Sequence, residues 1–413
     1  MADYYLLGLS VFAGAYMAWN IGANDVANSM ASSVGARAVT LRQALILATI
    51  LTFLGSSLVG SHVAQTIRKG IVDSQAIGDP KVIMMGLLSA LLSASLWVCL
   101  ATYQNLPVST THSIVGAMIG FGIVAGGLAA VNWKQVIYIV LSWILSPLLT
   151  ACGAFLMFRF LDKSVLAKLD TSGGIIKTTP MLISATLCIM TLSLLLDTPL
   201  GNKLHLTVFG SFATSLGVAI GSYAIGKVGV TRFLRKNSIT SAGQGDLIFR
   251  YLQVMTACYV AFGNGANDVA NAMGPLAGVY FIYSTGTTAE SSPIPVAMLA
   301  FGGSMICLGI FTWGYRVIET VGSKITELNN LRGFTVEFSA ATFILIASMM
   351  GLPVSTTHAA VGAYIGVGLA RGLAALDLNV LWKIMLYWII TVPVAAATCA
   401  VIYCLLSAIF LGR

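Results

Sequence analysis

Apolar stretches long enough to cross a bilayer as helix follow one another down almost the whole chain, at about 4–30, 43–62, 82–104, 113–131, 135–160, 180–197, 204–225, 250–277, 294–315, 336–350, 359–375 and 380–410. Inside lipid, every backbone N–H and C=O must be satisfied within the segment or its bundle, which leaves only α-helices or a closed β-barrel. The alternation of apolar and polar residues that a barrel needs does not recur. The expectation is an all-α polytopic membrane protein of about 10–12 transmembrane segments. Composition agrees: of 413 residues, 57% are hydrophobic and 9% charged, against about 25% charged in soluble domains.

Two runs stand apart. Those at 113–131 and 359–375 are short and Gly-rich, and each follows a polar heptad containing Pro, the pattern of re-entrant or broken helices. The first run, Tyr4 to Trp19, has no basic region before it and leads into polar residues rather than a small-residue cleavage site, so it reads as a helix and not a removable signal. The net charge of +8 comes from basic residues placed mostly in short loops. Segment 226–250, with Lys227, Arg232, Arg235, Lys236 and Arg250 against Asp246, reads as a cytoplasmic loop, with the polar loop 161–179 on the same side. No basic array with interleaved aromatics points to nucleic acid.

A second feature sets the architecture. GANDVAN (Gly22 to Asn28) returns 243 positions later at Gly265 to Asn271, and LPVSTTH (106–112) returns 246 positions later at 352–358. GAMIGFG (116–122) matches GAYIGVG (362–368), and Ser93-Ala94 matches Ser339-Ala340. The chain therefore reads as a first transmembrane repeat at 1–160, connecting loops and a hairpin at 161–248, and a second repeat at 249–413. Transporters built this way place a site between repeats near the midplane, on discontinuous helices, which favours inverted repeats over parallel ones.

The heptads look like helix starts. Pro107 bars continuation from before, Ser109 or Thr110 can cap, and the next backbone N–H groups lack intrahelical partners. Such an end carries roughly half a positive charge and binds anions, and Ser109, Thr110 and Thr111 add hydroxyl donors, as do Ser355, Thr356 and Thr357 in the second repeat. One heptad alone reads as an ordinary capped membrane helix; two in matching places read as a binding site.

GANDVAN points to a cation. A carboxylate deep in a membrane helix costs about 2.5 to 3.5 kcal/mol, and neither Asp25 nor Asp268 has Lys or Arg nearby in sequence. Hard oxygen ligands from Asn24, Asp25, Asn28, Asn267, Asp268 and Asn271 suit a small hard cation, Na+ first, with a proton on the aspartate as the alternative. If the motifs share a pocket, two ionised aspartates outweigh two helix ends and repel an anion until cations bind, which is a basis for obligatory symport. Phosphate, which keeps a proton to donate to an aspartate, fits such a pocket better than sulfate, which has none.

The remaining polar residues are weaker signals. His112 and His358 read equally as anion donors and as packing. His62 and His205 read as structural, and Arg68, Lys69, Arg316 and Lys324 as snorkelling anchors. All seven cysteines fall inside apolar segments without zinc spacing. There is no nucleophile with a base and orienter, no closed metal-ligand set and no nucleotide-binding loop, so neither an enzyme nor a cofactor is expected.

The paired GANDVAN and PVSTTH segments resemble the signatures of the inorganic phosphate transporter family, whose members move phosphate with sodium or protons. The resemblance spans nearly the whole chain. It implies inverted repeats with helical hairpins reaching the midplane, and phosphate between the halves on Ser109, Thr110, Thr111, Ser355, Thr356 and Thr357 with Asp25 and Asp268 adjacent. It also implies cation ligands among Asn24, Asp25, Asn28, Asn267, Asp268 and Asn271, a homodimer, and a place in the plasma (inner) membrane. The repeats are not perfect twins: Asn20 aligns with Gly263, Ile21 with Asn264 and Ser29 with Ala272, so unequal cation sites are expected. The readings from other classes are a passive anion channel and a phosphate-sensing receptor.

Overall fold

The computed structural model describes residues 2–164, 173–196, 198–236, 241–288, 293–318 and 327–411; the side chains of Arg68 and Lys69, and all of Lys324, lie outside the described residues. Among the described residues there is no β-strand, only an isolated bridge between Val72 and Val131.

The segment expected as the first repeat holds α1 (Ala2–Gly35), α2 (Leu41–Val59), α3 (Ser61–Gly70), α4 (Ser74–Ile77), α5 (Pro80–Tyr103), α6 (Thr110–Gly126) and α7 (Trp133–Ser164). The connecting region holds α8 (Gly173–Leu195), α9 (Pro199–Lys203) and α10 (Val208–Lys236). There follow α11 (Ser241–Thr285), which starts ahead of the boundary expected at 248/249, α12 (Val296–Trp313), α13 (Asn330–Met349), α14 (Thr356–Arg371) and α15 (Leu378–Leu411).

Nine of the described helices are long and apolar enough to cross a membrane, and the chain is a multi-pass membrane protein. The three remaining apolar runs of the sequence fall in α6, α14 and α11. At 17 and 16 residues, α6 and α14 extend about 25 Å each, short of a hydrocarbon core of about 30 Å. The expected cytoplasmic loop at 226–250 is corrected: α10 runs to Lys236 and α11 begins at Ser241. Its basic residues extend the helix beyond the apolar stretch, and Arg235 and Lys236 sit where a helix C-terminus favours cations. Likewise the expected loop 161–179 is narrowed, because α7 continues to Ser164 and α8 starts at Gly173.

The two repeats interlock. α1 packs on α12, and α11 on α2; α6 packs on α15, and α14 on α7. Glycines set the closeness of the central crossings. A Cβ on Gly22 would collide with the Ile306 carbonyl oxygen, and one on Gly309 with that of Trp19, so α1 and α12 touch backbone to backbone. Gly265 against Thr52 and Gly55 against Phe262 repeat the arrangement between α11 and α2. The first letter of each GANDVAN thus brings its helix against the opposite repeat.

This packing predicts that Gly265→Val lowers stability by about 3 kcal/mol, the upper end for overpacking, because the obstacle is backbone that cannot rotate away. Gly8→Ala, where nothing lies within 4 Å, should be neutral or slightly stabilising. Thermal melts in detergent followed by size-exclusion chromatography check both; equal midpoints for the two variants would contradict the close crossing.

Candidate functional site

Both heptads begin helices, with Ser109 and Ser355 as N-caps. Each Oγ accepts the backbone N–H three residues on, from His112 and His358, at 3.2 Å in both cases. The first intrahelical bonds are Ser113 N–H to Ser109 C=O and Ala359 N–H to Ser355 C=O, so the N–H groups of Thr110, Thr111, Thr356 and Thr357 have no intrahelical acceptor. All six hydroxyl residues are buried.

The turns that deliver these starts are built alike. α5 and α13 end with the residue pairs Asn105-Leu106 and Gly351-Leu352, whose first members have φ of 59° and 67°. Leu106 N–H returns to Ala101 C=O and Leu352 N–H to Ala347 C=O, closing Schellman-type caps. The first asparagine of each GANDVAN grips this turn. Asn24 Nδ2 donates to Thr102 Oγ1 (2.9 Å) and Leu106 O (3.0 Å), while its Oδ1 accepts Val108 N–H (3.1 Å). Asn267 Nδ2 donates to Ser348 Oγ (3.1 Å) and Leu352 O (3.2 Å). These amides hold the approach to the heptads.

The last asparagine crosses between repeats. Asn28 donates to Thr356 (3.3 Å) and Thr357 (3.0 Å), and Asn271 to Thr110 (3.3 Å) and Thr111 (3.2 Å). Each aspartate accepts from the heptad of its own half: Thr110 Oγ1 donates to Asp25 Oδ2 at 2.7 Å and Thr356 Oγ1 to Asp268 Oδ2 at 3.2 Å. Thr111 donates to Val354 O (3.0 Å) and Thr357 to Val108 O (3.2 Å), so each heptad also bonds the other's backbone. All the residues expected at the site are therefore brought together at the junction of α1, α6, α11 and α14. No Lys or Arg among the described residues pairs with either aspartate, and both lie on helices unbroken at the motif.

His112 and His358 resolve toward packing. Pro147 in α7 has no N–H, which removes the helix partner of the Trp143 carbonyl four residues earlier. His358 Nδ1 donates to that carbonyl at 3.0 Å, and His112 Nδ1 donates to Trp388 O at 3.3 Å, near Pro393 in α15. Each ring lies against the other tryptophan, His112 tilted on Trp143 (3.7 Å between centroids) and His358 stacked on Trp388 (3.6 Å).

Glu337 has no counterpart among the residues singled out in the sequence, and Asn264 entered there only as the residue aligned with Ile21. Glu337, buried on α13, accepts hydrogen bonds from Ser32, from Ser33 (2.7 Å) and from Thr256 (2.8 Å). An acid at the edge of the 336–350 run was the signal. Asn264, aligned with Ile21, is buried one turn before Asp268 and donates to Asp25 O at 3.3 Å.

The chain is similar along nearly its whole length to proteins of one family. A model of the phosphate transporter family matches residues 21–399. A protein of Pyrococcus furiosus with the provisional name phosphate permease is 45% identical over 403 residues, covering 98% of this chain and 96% of its own. The chloroplastic inorganic phosphate transporter 2-1 of Arabidopsis thaliana is 40% identical over 415 residues, covering 94% of this chain and 70% of its own. A solved structure described as the sodium-dependent phosphate transporter superposes with a TM-score of 0.92 at 44% identity, covering 98% of this chain and 100% of its own.

His358→Phe should destabilise the protein by about 1–3 kcal/mol by leaving the Trp143 carbonyl unsatisfied in the membrane, while His358→Asn, with a donor, should recover part of the loss. Thermal melts decide; an unchanged midpoint for His358→Phe would show that the carbonyl does not depend on this bond.

Proposed function

From the premise that the chain belongs to the phosphate transporter family, we propose that it is a secondary active symporter of inorganic phosphate and Na+ in the plasma membrane. The family and the solved neighbour are transporters, and the chain is not an enzyme. The observation that carries the reading is the crossed set of bonds from Asn28 to Thr356 and Thr357, and from Asn271 to Thr110 and Thr111, which joins both motifs of both repeats in one place.

Phosphate binds between the two helix starts. The hydroxyls of Ser109 and Ser355 accept from the capping N–H groups and keep their own protons to donate, beside the N–H groups of Thr110, Thr111, Thr356 and Thr357. The four threonine hydroxyls are engaged with aspartates and carbonyls and turn toward the anion when it arrives. Asp25 and Asp268 draw Na+, with Asn28 and Asn271 bridging to the threonines. Asn24 and Asn267 act by fixing the turns.

Charge sets the coupling. Two helix ends contribute about +1 and two aspartates −2, so an anion enters favourably only after cations have bound. Protonated phosphate donates to an aspartate, and sulfate cannot. The repeats are inverted, with α6 and α14 as re-entrant arms that touch at their first turns and then diverge onto α5 and α15, and onto α13 and α7.

In proteoliposomes, an inward Na+ gradient should drive accumulation of radiolabelled phosphate, and excess sulfate should not compete. Asp25→Asn and Asp268→Asn should each reduce Na+-driven uptake at least about tenfold, which corresponds to about 1.4 kcal/mol. Uptake driven only by a proton gradient would replace Na+ with H+ as the coupling ion. Equal uptake with or without either gradient would favour a passive channel.

A further inference from the structure

The connecting region leaves a cleft on the outside of the molecule. α8 packs on both α10 and α11, and among the three helices lies a cavity of about 560 Å³, within the range of about 300–1,000 Å³ for pockets that hold small ligands. Its wall includes Ile183 and Leu187 of α8, Ile225 and Phe233 of α10, and Tyr251 and Met255 of α11. On α10 the lining returns every three or four residues from Ser222 to Phe233, a single stripe of the helix, in which Gly226 and Gly229 leave the space open. A Cβ on Gly229 would meet nothing within 4 Å. Ser222 Oγ donates to Ala219 O at 3.0 Å, so its proton is spent within its own helix. Ile225 and Tyr251 are 76% and 61% exposed, which puts the mouth of the cleft on the surface that faces lipid.

One end of this apolar cleft is cationic. After Phe233 the next position on the α10 stripe is Lys236, with Arg232 and Arg235 beside it. Lys177 lies two residues before Thr179 of the lining, and Arg250 stands between Ile248 and Tyr251. All five cations are exposed. Among the described residues at this end of the three helices the one acid is Asp246, which accepts from Asn330 of α13 at 2.9 Å. Phe233 and Tyr251 meet edge to face, 5.9 Å between centroids, near the level where the apolar wall gives way to the cations. An apolar cleft open to lipid, with positive charge at one end, complements an amphiphile with a negative head. A second copy of this chain fits poorly. Two copies oriented alike in a membrane meet across an axis along the membrane normal, which would set the cations of one against those of the other.

We infer that this cleft holds an anionic phospholipid, with an acyl chain against the wall of α8, α10 and α11 and the phosphodiester among Arg232, Lys236 and Arg250. Arg250 Nε donates to Ala38 O at 3.0 Å, which fixes the guanidinium and leaves its terminal amino groups for the head. Tyr251 adds an exposed phenol at the polar boundary. Charge selects the occupant as much as fit does, so phosphatidylglycerol binds in preference to phosphatidylcholine, whose head has no net charge. The bound lipid ties α10 to α11, and so ties the connecting region to the helix that carries the second GANDVAN.

The test is binding of radiolabelled phosphatidylglycerol to delipidated protein in detergent, with phosphatidylcholine as competitor, for the parent, Gly229→Trp, Gly229→Ala and the double variant Arg232→Gln with Lys236→Gln. The parent should bind phosphatidylglycerol saturably and at least about tenfold more tightly than phosphatidylcholine. Gly229→Trp, which fills the cleft, should lose saturable binding, and Gly229→Ala should stay within about threefold of the parent. The double variant should weaken phosphatidylglycerol about tenfold and leave phosphatidylcholine within about threefold; added KCl should weaken phosphatidylglycerol on the parent in the same sense. Its two side chains are exposed, so it carries the test if Gly229→Trp does not fold. A parent that binds both lipids alike, or monodisperse variants that bind as the parent does, would overturn the inference. A lipid-free parent that is dimeric by size-exclusion chromatography, with Gly229→Trp monomeric, would also overturn it and give the cleft to a second copy.

Discussion

A carboxylate held away from water needs a counter-charge, and Asp25 and Asp268 lie buried on the two central helices with hydroxyl and amide neighbours but no paired Lys or Arg among the described residues. A fixed cation would have neutralised them permanently. Without one, the balance of the site changes with what is bound, and the rest of the molecule is arranged around that condition. The glycine crossings bring α1 against α12 and α11 against α2, which sets both carboxylates beside the same small cavity. The short helices α6 and α14 bring their positive ends to the other side.

Rigidity around this point is local and reciprocal. Each heptad is held three ways: by its own cap, by an asparagine on the turn before it, and by hydrogen bonds to the opposite repeat. Displacing one heptad therefore disturbs the other, and a change of charge at one aspartate reaches Thr110 or Thr356 directly. The packed His112, Trp143, His358 and Trp388 close the arrangement where prolines interrupt α7 and α15.

Much of this was legible in the sequence because duplication marks positions that local composition does not. Repetition of GANDVAN and LPVSTTH identified residues that do converge, and Pro107 with Ser109 or Thr110 as the cap located a helix start to within one residue. What stayed hidden depends on long-range packing. The sequence gives Asn24, Asn28, Asn267 and Asn271 the same chemistry, but their places on the helix send the first of each motif to a turn and the last across to the other repeat. Basic residues after an apolar run suggested a loop at 226–250, yet a helix continues through them as readily when its polar end reaches the interface. The two histidines could be assigned only once Pro147 was seen to free a carbonyl facing His358.

The central claim is that cation and phosphate bind to one electrostatic unit. Calorimetric titration of phosphate at a series of Na+ concentrations, paired with Na+ titration at a series of phosphate concentrations, tests it most directly. The account predicts that Na+ tightens phosphate binding and that phosphate tightens Na+ binding by the same factor, as linkage requires. Phosphate affinity that is constant across the Na+ series would contradict it.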